Sequence, residues 1–131
     1  MIRALKAIVV RHLREAGFTG TFPHFRRLGP DRTDLLTVFF DKSGGGFAVE
    51  IARAPAGPVV TTDYGETVDA RKLTAWHMIR RLRLGARDEG GHHWFRYDRW
   101  RPFRRGDVYE ETARRVLPFL ERQAERWWAA T

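Results

Sequence analysis

The chain has 131 residues, 43% of them hydrophobic and 13% aromatic, with no cysteine and a formal net charge of +8. That hydrophobicity excludes a disordered chain, and the length suits one domain, residues 1–131, with a core of its own. The absent thiols exclude a disulfide framework, a thiolate metal site and a cysteine nucleophile, and they accord with a cytoplasmic location.

The apolar run Ala7–Val10 is too short for a signal-peptide core, and His12, Arg14 and Glu15 follow it at once. No run approaches the roughly 20 apolar residues that cross a bilayer, so no membrane partner is expected. The positive charge is local. Residues 71–105 carry 11 basic and 3 acidic groups, whereas residues 36–70 carry 2 and 5. Such a field attracts anionic partners without naming the anion.

In chain order, Ile2, Leu5, Val9, Leu13 and Ala16 recur at three- and four-residue steps, which predicts an N-terminal helix ended by Gly17. Phe22–Leu28 reads as an edge strand because Pro23 cannot donate to a central ladder. Gly29-Pro30-Asp31 is a turn. Asp34–Asp41 and Gly46–Ala52 read as two strands joined through Lys42-Ser43-Gly44-Gly45. The second alternates Phe47, Val49 and Ile51 with Ala48, Glu50 and Ala52, so one of its faces is buried. The first is apolar on both faces, as a central strand covered on both sides would be.

Pro55–Pro58 is a turn, Val59–Thr62 a short strand, and Asp63–Arg71 a loop or helical turn. Leu73–Leu84 is read as a strand, with Trp76, Met78, Leu82 and Leu84 on one face and Arg80 in line. Gly85–Gly91 is a loop and His92–Tyr97 a short strand or irregular piece. The last element is a long helix opened by Asp107, with Glu110 placed for a capping box. Its apolar stripe runs through Tyr109, Ala113, Val116, Leu117, Leu120, Ala124, Trp127 and Trp128, and Pro118 should bend it. Trp127 continues that stripe into the core, and Trp128 either joins it or marks a dimer contact. The expected fold is therefore α+β: an antiparallel sheet of about four to six strands with both helices packed on one face.

No catalytic residue, metal or cofactor is expected. The five histidines form no HExxH or similar ligand spacing, and adjacent His92 and His93 would point to opposite faces of a strand. Ser43, the only serine, sits in the hairpin turn without a nucleophile motif. Glu50 is explained by strand alternation, and Ser43–Gly46 lacks the spacing of a phosphate loop.

The outlying segment is His92–Arg105, in which Trp94, Phe95, Tyr97, Trp100 and Phe103 interleave with Arg96, Arg99, Arg101, Arg104 and Arg105. Together with Arg80, Arg81 and Arg83 it predicts a basic, aromatic-studded surface. Trp, Tyr and Arg dominate protein–protein hot spots, so an acidic protein or a second copy of the chain is the expected partner. Rings that stack on bases beside arginines that grip phosphates also suit single-stranded DNA or RNA, the alternative reading. The same string would equally arise from aromatics packed on the core beneath solvated arginines.

The helix ending in Gly17-Phe18, the Phe25-Arg26-Arg27 element and the strand running through Asp41-Lys42-Ser43 into Phe47–Ile51 stand in a familiar order. So do Ile79–Gly85, Trp94-Phe95 and a final helix with proline near its middle. Nearly the whole chain resembles the bacterial domain-of-unknown-function family DUF4304. It departs from the family pattern at Phe39-Phe40 and Glu50, where Gln or Asn is common in the hairpin strands. The resemblance implies the fold and a bacterial origin, and no activity.

Overall fold

The structure, a computed structural model, describes residues 1–61, 65–98 and 107–130. The N-terminal helix is continuous through Ile2–Leu5, Lys6–Val10 and Arg11–Glu15. It ends in a Schellman motif. Gly17 takes φ +96°, its N–H bonds the Arg14 carbonyl, and the Phe18 N–H reaches back to Leu13.

Among the described residues eight strands follow: β1 Thr19–Thr21, β2 His24–Leu28, β3 Arg32–Phe40, β4 Gly46–Pro55, β5 Val59–Val60, β6 Thr67–Val68, β7 Arg81–Arg83 and β8 Phe95–Arg96. Among the described residues six of them form one antiparallel sheet in the order β1-β2-β3-β4-β7, with β8 also pairing β4. β5 and β6 form a separate ribbon. A C-terminal helix of 22 residues runs through Val108–Phe119, Leu120–Ala124 and Glu125–Ala129. The fold is α+β, as the sequence predicts.

Strand alternation divides the sheet into two faces. Phe25, Leu36, Val38, Phe47, Val49, Ile51, Leu82, Leu84 and Phe95 point to the helices and form the main core. Each such side chain, fully buried, contributes about 1.5–3 kcal/mol. The opposite face is covered in part by residues 59–60 and 67–78. There Leu35, Ala52 and Ala54 meet Leu73 and Ala75, with Val59, Val68 and Met78 at the margin. β3 is thus central and covered on both sides along part of its length.

Both helices keep a four-residue cadence in their buried positions. It runs Leu5, Val9, Leu13 in the first and Thr112, Val116, Leu120, Ala124, Trp128 in the second. A regular helix of 3.6 residues per turn drifts off a strict period of four. Each helix compensates with one wide π-type stretch, at Lys6–Val10 and at Leu120–Ala124, the latter directly after Pro118.

Four local expectations are corrected. The first strand of the sheet is β1, and Phe22-Pro23 lies between it and β2, because proline offers no N–H to continue a ladder. Leu73–Leu84 is a strand only at Arg81–Arg83. Thr74 caps a single helical turn at Ala75–His77, which sets Leu73 and Ala75 against the sheet and leaves Trp76 half exposed. Tyr109 is exposed outside the helix stripe. Trp128, not Trp127, is the buried anchor at 1% exposure, since the wide turn advances the face by one residue.

Candidate functional site

The second face of the sheet carries a polar row that spans four strands. His24 of β2, Thr37 of β3, Glu50 of β4 and Arg83 of β7 stand directly opposite one another in register. His24 Nδ1 lies 2.9 Å from Thr37 Oγ1, and Arg83 Nη2 donates to Glu50 Oε1 at 3.2 Å. Arg81, one pleat along, brings its Nε within 3.4 Å of Glu50 Oε2. Glu50 is thereby the shared counter-ion of two arginines. Glu50 Oε2 and Arg83 Nε are both buried yet make no hydrogen bond. Native interiors leave few such groups, and functional sites are one place where they persist.

Aromatic rings flank this row. The Arg83 guanidinium lies over Phe39 and Trp94, 4.9 and 5.1 Å from their ring centroids. Trp94 also carries Arg96 at 5.7 Å. Trp76 meets Phe39 and His24 edge-on at 6.2 and 5.1 Å. The parity of the sheet explains the grouping, since Phe39, Arg81, Arg83, Trp94 and Arg96 all occupy positions that face away from the helices. Burial lowers the pKa of His24, and the nearby charges of Arg26 and His77 lower it further.

The hairpin between β3 and β4 holds the corner together. Gly44 and Gly45 take φ +84° and +77°, which glycine adopts without strain. Asp41 binds Arg96 at 2.8 Å, and the Gly45 carbonyl accepts from the Tyr97 N–H at 3.0 Å. The Ser43 N–H and then Arg96 hold the Asp41 carboxyl below its usual pKa. Ser43 itself is a plain exposed turn residue.

The predicted surface residues separate. Arg81, Arg83, Trp94 and Arg96 share the second face. Tyr97 points the other way, toward the helices, with its ring against Tyr109 at 5.5 Å. Phe95 is a core residue. Arg80 leaves the row: it binds Glu89 and lies over Trp127 at 5.6 Å. Arg99, Trp100, Arg101, Arg104 and Arg105 lie outside the described residues, as does Phe103. His92 and His93 do diverge, His92 to Arg83 and His93 to Phe95 and Phe119.

Phe39, Trp76, His24, Thr37 and Glu50 join the site without having been singled out for it. For Phe39, His24, Thr37 and Glu50 the signal is the common parity of opposed strands, visible only once the register is known. Trp76 arrives on the helical turn Ala75–His77 packed over that face. Glu50, Arg81, Arg83 and His92 line a cavity of about 170 Å³ together with Glu89 and Gly90. Glu89 and Gly90 also line a wider groove of about 880 Å³ between the 85–91 loop and the C-terminal helix. Among the described residues no group of three His, Cys, Asp or Glu side chains is placed to hold a metal ion, and no helix is long and apolar enough to cross a membrane.

The model of the family described as a domain of unknown function, DUF4304, matches residues 9–130. No curated protein and no solved structure matches the chain. The chain belongs to the DUF4304 family.

Proposed function

We propose that this member of the family is a non-enzymatic interaction domain that binds an acidic protein through the second face of its sheet. The observation that carries the reading is the cluster of Phe39, Trp76 and Trp94 around Arg83, with Trp76 51% exposed and neighbouring Ile79 81% exposed. Half-buried rings held by arginine give large contact area at small cost in side-chain freedom, the composition of protein hot spots. The net charge of +8 favours encounter with acidic surfaces. Glu50 is engaged as a counter-ion, which supports binding over acid–base chemistry.

Nucleic acid is the weaker reading. Arg80, Arg81, Arg83 and Arg96 already face Glu89, Glu50 and Asp41, so less of their charge is free for phosphates. A photo-reactive phenylalanine analogue placed at position 76 or 94 in cells of the native host tests the choice. Discrete protein adducts at both positions, with none at exposed Arg3 on the helix side, are expected. Adducts that vanish with nuclease would establish the nucleic-acid reading instead. An adduct with the chain itself would identify the partner as a second copy. No adduct at either position would end the reading.

Changing Arg99, Arg101, Arg104 and Arg105 together to Ser should leave the thermal midpoint nearly unchanged and abolish the adducts. A large fall in midpoint would make those groups structural.

A further inference from the structure

We infer that the groove between the 85–91 loop and the C-terminal helix is a docking site for an acidic peptide segment bearing one bulky apolar side chain. This rests on the reading of the chain as an acidic-partner domain and assigns the partner a second contact, separate from the aromatic cluster. The groove is shallow and open to solvent, with about 880 Å³ of space above its floor, room for a peptide side chain. Its apolar lining is the Leu82 side chain and the ring of Trp127, the latter half buried beside the buried anchor Trp128. Such a floor accepts an aliphatic or aromatic side chain.

Four arginines stand around that floor: Arg80 and Arg87 from the loop side, Arg122 and Arg126 from the helix. Arg80 is matched by Glu89, at 2.6 Å. Arg87, Arg122 and Arg126 have no carboxylate partner among the described residues. Arg122 and Arg126 are four residues apart on one helix, where like charges repel, and an incoming carboxylate would relieve that. Against the four arginines the groove sets Asp88 and Glu89 alone. Glu89 is already held by Arg80 and by the Trp127 indole N–H, and Asp88 by the Gly90 N–H.

The walls are fixed. Gln123 accepts from the Gly85 N–H and donates to the Ala86 carbonyl, both at 2.7 Å, tying the loop to the helix. The base of the groove is thus preformed, and the ordering that binding costs falls mainly on the exposed side chains of Arg87, Arg122 and Arg126. A bare phosphate chain has nothing to seat on the Leu82–Trp127 floor, whereas a single-stranded nucleic acid can stack a base there, so an oligonucleotide is the competitor the test must include.

The test uses the full chain and a short fluorescein-labelled peptide with one phenylalanine flanked by glutamates, read by anisotropy. Saturable binding is expected, weakened about tenfold or more by the double change Arg122→Glu and Arg126→Glu or by Trp127→Ala. Arg3→Glu with Arg11→Glu, the same charge change on the exposed side of the N-terminal helix, should weaken it far less. Equal losses from the two charge pairs would reduce the effect to net charge and overturn the site. Equal binding of a peptide with serine in place of phenylalanine would also overturn it, as would displacement by a single-stranded oligonucleotide at lower concentration. Trp76→Ala should leave peptide affinity unchanged. A peptide that fails to bind while position 76 still cross-links a protein sinks the groove and spares the aromatic surface, and the converse result does the reverse.

Discussion

The residue that joins most of the molecule is Arg27. Its guanidinium binds Asp34 at 2.8 Å and Glu125 at 2.8 Å, donates to the Ala16 carbonyl at 3.1 Å, and lies over the rings of Phe18 and Trp128. One side chain therefore connects β2, β3, the end of the first helix and the last turns of the second. Asp34 is 3% exposed, so removing its partner strands a buried charge, although Arg32 still reaches its other oxygen at 2.8 Å. Arg27→Met should lower unfolding free energy by about 3 kcal/mol, the low end for breaking a buried pair. Urea denaturation checks it, and a loss below about 1 kcal/mol would show that Arg32 alone suffices for Asp34. Asp107 is a simpler case. Its carboxylate accepts from the N–H groups of Tyr109 and Glu110 at 2.8 and 3.3 Å, while Glu110 turns outward to Arg114. Asp107→Ala should cost about 1 kcal/mol, measured the same way.

At the scale of elements, the strands β3 and β4 and both helices were legible because their apolar periods are long and agree with their turn residues. The segment 73–84 was not. Trp76, Met78, Leu82 and Leu84 share one parity whether the chain is extended throughout or makes a helical turn before a short strand. Only the burial of Leu73 and Ala75 on the second face decides between them. The site was legible in part for a related reason. Arg81, Arg83, Trp94 and Arg96 are conspicuous by composition, but Phe39, Thr37 and Glu50 join them only through cross-strand register. The groove was hidden more deeply, because Arg87 and Arg122 line it from a loop and a helix that no local pattern brings together. The exchange of Trp127 for Trp128 likewise needed the wide turn at Leu120–Ala124 to be seen first.

For the molecule as a whole, the two half-buried histidines set a dependence on acidity. His24 and His93 both have pKa values lowered from 6.5, chiefly by burial, with Arg26 and His77 adding at His24 and Arg115 at His93. The unfolded chain then binds protons near pH 6.5 that the folded chain refuses until lower pH. Stability from these groups is present above about pH 6.5 and is lost as pH falls through the depressed values. The depressed Asp41 acts in the same direction at still lower pH. The urea midpoint should therefore fall between pH 7 and pH 5, and His24→Asn with His93→Phe should flatten that fall. An unchanged slope in the double variant would assign the dependence to other groups.

The wide turn after Pro118 amounts to one surplus residue threaded into an otherwise ordinary coil. From Leu120 to Trp128 the chain spends eight steps on what a regular helix covers in about seven. Excising exposed Glu121 should thus let that stretch relax to standard pitch with the terminal indole still seated beneath Arg27. Excising Arg114, in the regular first half, would rotate everything after it by roughly 100° and unseat it. Comparing the melting temperatures of the two deletions reads the difference directly. The C-terminal helix thus carries its own tolerance for a frame slip in one short window after the proline, and none in its regular first half.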